Sequence, residues 1–124
     1  MSETPITPRF NLWLETDNEV VMSIWRAGLL RAIEETGSIN AAAAHLNIHY
    51  RTAWEKIHEM EKHLGQKLVV THTGGKKGGG ATLTPIALDY LDKFDRFRAD
   101  VEMYIGSQYQ MVFRPVETPL APPQ

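Results

Sequence analysis

The sequence predicts a mainly α-helical domain with a small β hairpin, a short N-terminal strand and a long C-terminal helix. Three observations predict it. Apolar residues step by three and four through most of residues 20–64, with Gly37, Asn47 and Gly65 as breaks. A glycine-rich stretch, Thr71 to Gly80, separates two runs of strand-forming composition. A further apolar periodicity follows Thr84-Pro85 and continues for about 25 residues, some 38 Å of helix.

A chain of 124 residues fits one domain, and 43% hydrophobic with 23% charged residues allows a small core. Cysteine is absent, which excludes a disulfide framework, a zinc–cysteine site and a cysteine nucleophile. No apolar run reaches the ~20 residues of a membrane span. The first 20 residues, with Glu3, Arg9, Glu15, Asp17 and Glu19, carry no secretory signal pattern. A cytoplasmic protein without a membrane partner is expected.

Residues 1–9 contain Pro5 and Pro8 and read as a flexible lead-in. Phe10, Leu12 and Leu14 alternate with Asn11, Trp13 and Glu15, the period of a short strand. Asp17-Asn18 is a turn signal. From Val20 the period becomes helical, through Val21, Ile24, Ala27, Leu30 and Ile33, and ends at Gly37. Ser38 offers an N-cap hydroxyl to a second helix, Ile39 to about Leu46, built around four consecutive alanines, Ala41 to Ala44. Small side chains there permit another helix to approach closely. Asn47 tolerates the left-handed conformation of a tight turn.

A third helix is expected from about His49 to Leu64, with Ala53, Ile57, Met60 and Leu64 as its buried face. Two helices joined by a tight turn make a helix-turn-helix, and the hairpin that follows is its wing. Leu68 to Thr71 and Ala81 to Thr84 are the hairpin strands, with Lys76 and Lys77 at the tip. Thr84-Pro85 is an N-cap and N1 pair, opening a last helix over about 85–109. Its apolar set, Leu88, Leu91, Phe94, Val101 and Ile105, is broadened by Phe97 and Tyr104. A small domain does not easily cover so long a stripe, which points to self-association. The domain is taken as 10–110. Residues 111–124, with Pro115, Pro119, Pro122 and Pro123, are expected to be a disordered tail.

Net charge is −2, yet its distribution is uneven. Residues 45–84 hold six lysines and arginines against three glutamates, while both flanks are acidic; all five histidines fall in the middle block too. A basic centre of this kind fits a nucleic-acid partner. Tyr50, Arg51, Thr52, Trp54 and Lys56 occupy the first two turns of the third helix, the positions that face a major groove in a helix-turn-helix. Arg51 can donate two parallel hydrogen bonds to guanine. Lys76 and Lys77 can reach phosphates, with a salt-dependent contribution. The plain alternative for each is a solvated helix face or an incidentally charged loop.

Other chemistries do not fit. His58 and His63 are five apart, so their rings diverge by about 140° on a helix, whereas a zinc pair needs a spacing of four. His45 and His49 straddle the expected turn. The glycine-rich segment does not match a P-loop or a dinucleotide fingerprint. No catalytic residue, metal site or cofactor is expected, and the chain does not read as an enzyme.

The stretch TGSINAAAAHLNIHYRTAWEKIHEMEKHLGQKLVVTHTGGKKGGGATLTPIALDYL resembles the winged helix-turn-helix domain of ModE-type molybdate-responsive transcriptional regulators. More distantly it is similar to the DNA-binding domain of LysR-type regulators. The TGSI turn, the alanine-rich helix, the Tyr-x-x-Ala-Trp sequence at residues 50–54 and the TGGKKGGGATLT wing carry the likeness, which covers residues 10–110. It implies that Ser38 and Asn40 meet the DNA backbone, that Tyr50, Arg51, Thr52 and Trp54 lie on the recognition helix, and that Lys76 and Lys77 form the wing tip. It also implies dimerisation through the last helix, where Leu91, Phe94, Phe97, Val101, Tyr104 and Ile105 are the interface candidates. ModE-type regulators continue into modules that bind molybdate; these residues hold no such module, so direct molybdate sensing by this chain is not expected. The reading is a bacterial homodimer that binds a pseudo-palindromic double-stranded operator. The alternatives are a winged helix that binds a protein, and an architectural DNA binder indifferent to sequence.

Overall fold

The computed structural model describes residues 5–73 and 79–117, with side chains to Phe113. The elements in chain order are β1 (Trp13–Thr16), β2 (Glu19–Ser23), α1 (Ile24–Thr36), α2 (Ile39–His45), α3 (Tyr50–Leu64), β3 (Val69–His72), β4 (Gly80–Leu83) and α4 (Pro85–Glu117). The chain divides into two compact units. One is Leu12–Phe94; the other takes in the stretch ending at Asn11 and the chain from Asp95 on.

The N-terminal elements correct the sequence reading. A single strand near Phe10–Leu14 and a helix from Val20 were expected. The chain instead forms an antiparallel hairpin, with Trp13 opposite Ser23 and Thr16 opposite Glu19. Asp17 and Asn18 both have positive φ, 50° and 64°. Two left-handed central residues give the turn whose twist suits a two-residue hairpin. Val20 and Val21, β-branched, then continue as strand rather than helix. The helix begins only where Ser23 caps it, its Oγ accepting the Arg26 N–H at 3.0 Å.

The ends of α1 and α3, the start of α2 and the turn after it carry the expected signals. Gly37 sits at φ 79° and its N–H donates to Ile33 O at 2.8 Å, closing α1. Ser38 Oγ accepts the Ala41 N–H at 2.9 Å, opening α2. Asn47 adopts φ 61° in the turn, and Gly65 ends α3 at φ 63°. Ala42, Ala43 and Ala53 are buried, so α2 and α3 approach through small side chains, while Ala41 and Ala44 face outward. Met22, Leu29, Leu30, Ile33, Ile57, Met60, Leu68 and Leu91 form the fully buried centre of the first unit. Each such side chain contributes roughly 1.5–3 kcal/mol through removal from water.

The second hairpin is tied to the helices by polar groups. Its register pairs Val69 with Leu83 and His72 with Gly80. Ala81 N donates to Gly37 O at 2.8 Å, docking β4 on the α1–α2 turn. Glu61 Oε2 accepts the N–H groups of Leu68 and Val69 at 2.9 and 3.2 Å. Thr84 Oγ1 donates to Lys67 O at 2.7 Å and accepts the Ala87 N–H at 3.2 Å, which caps α4.

Two expectations for α4 change. The helix runs to Glu117, beyond the expected end near Tyr109. Residues 110–113 contain no helix breaker, and Tyr109 stacks on Phe113 one turn later with ring centroids 4.9 Å apart. Residues 111–117 are therefore helical rather than an irregular tail; residues 118–124 lie outside the described residues. Leu91 and Phe94, candidates for a subunit interface, are instead 0% and 3% exposed in the core of the first unit. The apolar face at the start of α4 is consumed by the chain's own core. Phe97 and Tyr104 remain exposed, and Val101 and Ile105 are half-buried. Among the described residues, no helix is long and apolar enough to cross a membrane.

Candidate nucleic-acid interface

The site is built by α2, α3 and the second hairpin. The two helices fix their own angle through the tight turn at Asn47, where Ile48 N donates to Ala43 O at 3.0 Å. Between them and the hairpin lies an open groove of about 680 Å³. Ser38, Asn40, Tyr50 and Trp54 from the helices line it, together with Thr71, His72 and Gly80 from the hairpin. Four of the residues singled out from the sequence thus line one groove. Ser38 is partly committed to capping α2, and Asn40 is exposed.

On α3, Tyr50 is 48% exposed, and its ring meets Trp54 edge-on at 6.2 Å. Trp54 is half-buried against the core and in turn meets the His58 ring at 4.9 Å. Tyr50, Trp54 and His58 therefore make a continuous row at steps of four, one helical turn each. Arg51 is exposed beside that row. Thr52 is half-buried and does not line the groove. Lys56 is half-buried, with Nζ 3.8 Å from Glu59 Oε1, so its charge is drawn toward that carboxylate. Lys76 and Lys77 lie outside the described residues.

Behind the site, a second set of charges holds α3 in place. Arg26 Nη2 donates to Glu59 Oε1 at 2.9 Å from a guanidinium that is largely buried. The Arg26 hydrogen bond holds the Glu59 carboxyl below its ordinary range; partial burial opposes this, and Lys56 adds to the lowering. His63 is held on the opposite side of α3 from His58. Its ring is half-buried, with Nδ1 2.8 Å from Glu59 O and Nε2 2.6 Å from Glu19 Oε1. His58 and His63 thus go to different partners, and the described residues hold no cluster of three potential metal ligands.

The sequence reading missed Thr71, His72 and His58 as parts of this surface. The spacing of four from Trp54 was a usable signal for His58. Nothing local marks Thr71 or His72, which reach the groove only because the second hairpin docks through β4 on α1 and the α1–α2 turn.

The family described as bacterial regulatory helix-turn-helix protein, lysR family, matches residues 26–88, about half of the chain. The chain belongs to that family. Its matched segment begins within α1 and runs through α2, α3 and the second hairpin into α4, so it spans a helix-turn-helix of the regulatory type, with ModE-like sequence. The molybdenum transport protein ModE of Azotobacter vinelandii is 44% identical over 108 residues, covering 78% of this chain and 40% of that protein. The molybdenum-pterin-binding protein MopB of Rhodobacter capsulatus is 37% identical over 86 residues, 69% of this chain and 32% of that one. The transcriptional regulator ModE of Haemophilus influenzae is 40% identical over 70 residues, 56% of this chain and 28% of that one. The chain spans about a third of the length of these relatives.

Solved structures agree on the fold. A complex of the CbnR DNA-binding domain with DNA superposes with a TM-score of 0.54 at 20% identity, covering 73% of this chain and 97% of that one. The BenM DNA-binding domain with benA site 1 DNA gives 0.54 at 19% identity, covering 73% and 96%. These winged helices share the architecture built above.

Proposed function

We propose that this chain binds double-stranded DNA sequence-specifically, as a homodimer, in bacterial transcriptional regulation linked to molybdenum. The observation that carries the reading is the groove walled by Ser38, Asn40, Tyr50 and Trp54 beside the exposed Arg51 of α3. Arg51 donates to guanine O6 and N7 in the major groove. Tyr50 and Trp54 press on the sugar–phosphate edge, and Ser38 and Asn40 hydrogen-bond to phosphate. Thr52 and Lys56 take weaker backbone roles, and Lys76 and Lys77 contact phosphates from the wing. The DNA-bound forms of CbnR and BenM, which have the same fold, support a DNA partner.

Pairing of subunits runs through the outer part of α4, where Phe97 and Tyr104 are exposed and Val101 and Ile105 are half-buried beside them. Two copies related by a two-fold axis read a pseudo-palindrome with half-sites about 34–36 Å apart, or a multiple of that. The link to molybdenum rests on the names of the ModE and MopB relatives. The protein acts in the cytoplasm, where its DNA is.

The test is selection of fragmented host DNA by the purified protein at about 0.15 M salt, where the screening length is about 8 Å. Arg51→Ala runs alongside. Enrichment of one pseudo-palindromic site, lost in the variant, is the expected result. Equal recovery of all duplexes would replace this reading with an architectural binder, and no recovery at all with a protein-binding module.

A further inference from the structure

Three glutamates lie on α3, and two of them have structural work. Glu59 pairs with Arg26, and Glu61 accepts the N–H groups of Leu68 and Val69. Glu55 is different. It is exposed, and its carboxylate has no hydrogen-bond or ion-pair partner among the described residues. At 100° per residue it lies about 170° around the helix from the mean direction of Ala53, Ile57, Met60 and Leu64. It is therefore at the centre of the outward face. Arg51 stands one turn before it on that face, and Lys62 two turns after it.

An unpartnered carboxylate is costly on such a face if the face meets DNA, because it is repelled by phosphates. A donor in the floor of the major groove offsets the cost. Cytosine presents one there, its N4 amino group, and glutamate is suited to accept from it. Adenine also presents an amino group, but beside the N7 acceptor, a pair that an amide matches and a carboxylate does not.

We infer that Glu55, one turn of α3 after Arg51, reads a cytosine in each half-site by accepting a hydrogen bond from its N4, close to the guanine read by Arg51. The inference rests on the DNA-reading role proposed above. Glu55 then both selects and excludes. It rewards one base and weakens binding to every duplex that lacks a donor at that position.

The same selection experiment, run with wild type, Glu55→Gln and Glu55→Ala at one salt concentration, tests it. Both variants are expected to keep the wild-type melting temperature, since the side chain is exposed and makes no hydrogen bond or ion pair among the described residues. The wild-type site should contain one cytosine per half-site that Glu55→Ala no longer selects. Glu55→Gln should prefer adenine at that position. Both variants should bind random duplex more tightly, lowering the specific-to-random ratio about tenfold. Unchanged base preferences in both variants would overturn the inference while leaving the DNA-reading role standing, as would loss of preference at a base other than cytosine. Failure of the wild type to enrich any site would overturn both.

Discussion

Arg26 Nη2 lies 2.9 Å from Glu59 Oε1, joining the first turn of α1 to the middle of α3. The arginine side chain is 10% exposed and the glutamate 45%, so the two ends of the pair are not equivalent. Arg26 Nη1 is buried without a hydrogen-bond partner among the described residues. The pair orients the helix that carries Tyr50, Arg51 and Trp54.

The asymmetry predicts an order of effects. Glu59→Ala leaves a buried, uncompensated guanidinium and should cost about 3 kcal/mol. Arg26→Met removes the buried charge, keeps apolar volume and leaves a glutamate that water can reach, so it should cost about 1 kcal/mol or less. Urea unfolding of the two variants measures the difference. The reverse ranking would mean that Arg26 is held mainly by the packing of its stem.

Acid should act through the same carboxylate. Its folded form titrates below the ordinary value of 4.5, chiefly because of the Arg26 hydrogen bond. The unfolded chain then binds the proton more readily, so stability from this group is complete above that value. It is lost as pH falls through the lower folded value. Melting temperatures from about pH 5 to about pH 3 should fall less steeply for Glu59→Gln than for wild type. Parallel curves would place the acid-sensitive group elsewhere.

Phe94 and Phe97 stand three residues apart on α4, at 3% and 48% exposure. Phe94→Asp buries a carboxylate in the core and should cost at least the ~3–5 kcal/mol of losing a core phenylalanine. Phe97→Asp should leave the helical circular dichroism intact and shift sedimentation from dimer to monomer. A Phe97→Asp protein that stays dimeric would remove that side chain from the subunit contact.

Those two residues also mark what the sequence could reveal. Periodicity identified the apolar stripe of α4, but not where the chain's own core stops using it, because that depends on how far α1, α3 and the hairpin reach. The caps were legible: Ser38, Asn47, Gly65 and Thr84 act through their own backbone neighbours. The N-terminal hairpin was not read, although Asp17-Asn18 followed by Val20-Val21 carries its signature. A helical period running on into α1 masked it. Of the residues lining the groove, Tyr50 and Trp54 were legible from the helical pattern of α3, whereas Ser38 and Asn40 were named as DNA contacts only through the family resemblance. Thr71 and His72 were not legible, and neither were the bonds made by Glu61 and His63, all of which exist only after distant segments meet.

Gly79 tests whether the hairpin geometry matters to the groove. A Cβ built there would lie 2.5 Å from His72 O, a backbone atom that cannot swing aside. Gly79→Ala should therefore push the strands apart beside His72 while leaving the buried core unchanged. DNA affinity is expected to fall several-fold with little change in melting temperature. Wild-type affinity would show that the backbone entering β4 does not shape the DNA-facing surface.

Lys76 and Lys77 separate positioning from reading. Phosphate contacts release counterions, so affinity falls with salt at a log–log slope of about 0.9 per contact. Replacing both lysines by alanine should reduce that slope by about 2 per subunit and weaken all duplexes alike. Arg51→Ala should instead cost about 1–3 kcal/mol on the selected site and little on random DNA. The comparison requires both variants on both duplexes across a salt series. If the double lysine variant loses affinity only for the selected site, the wing reads sequence. If Arg51→Ala weakens both duplexes equally, Arg51 is a phosphate contact and the base-reading role passes to its neighbours on the outward face of α3.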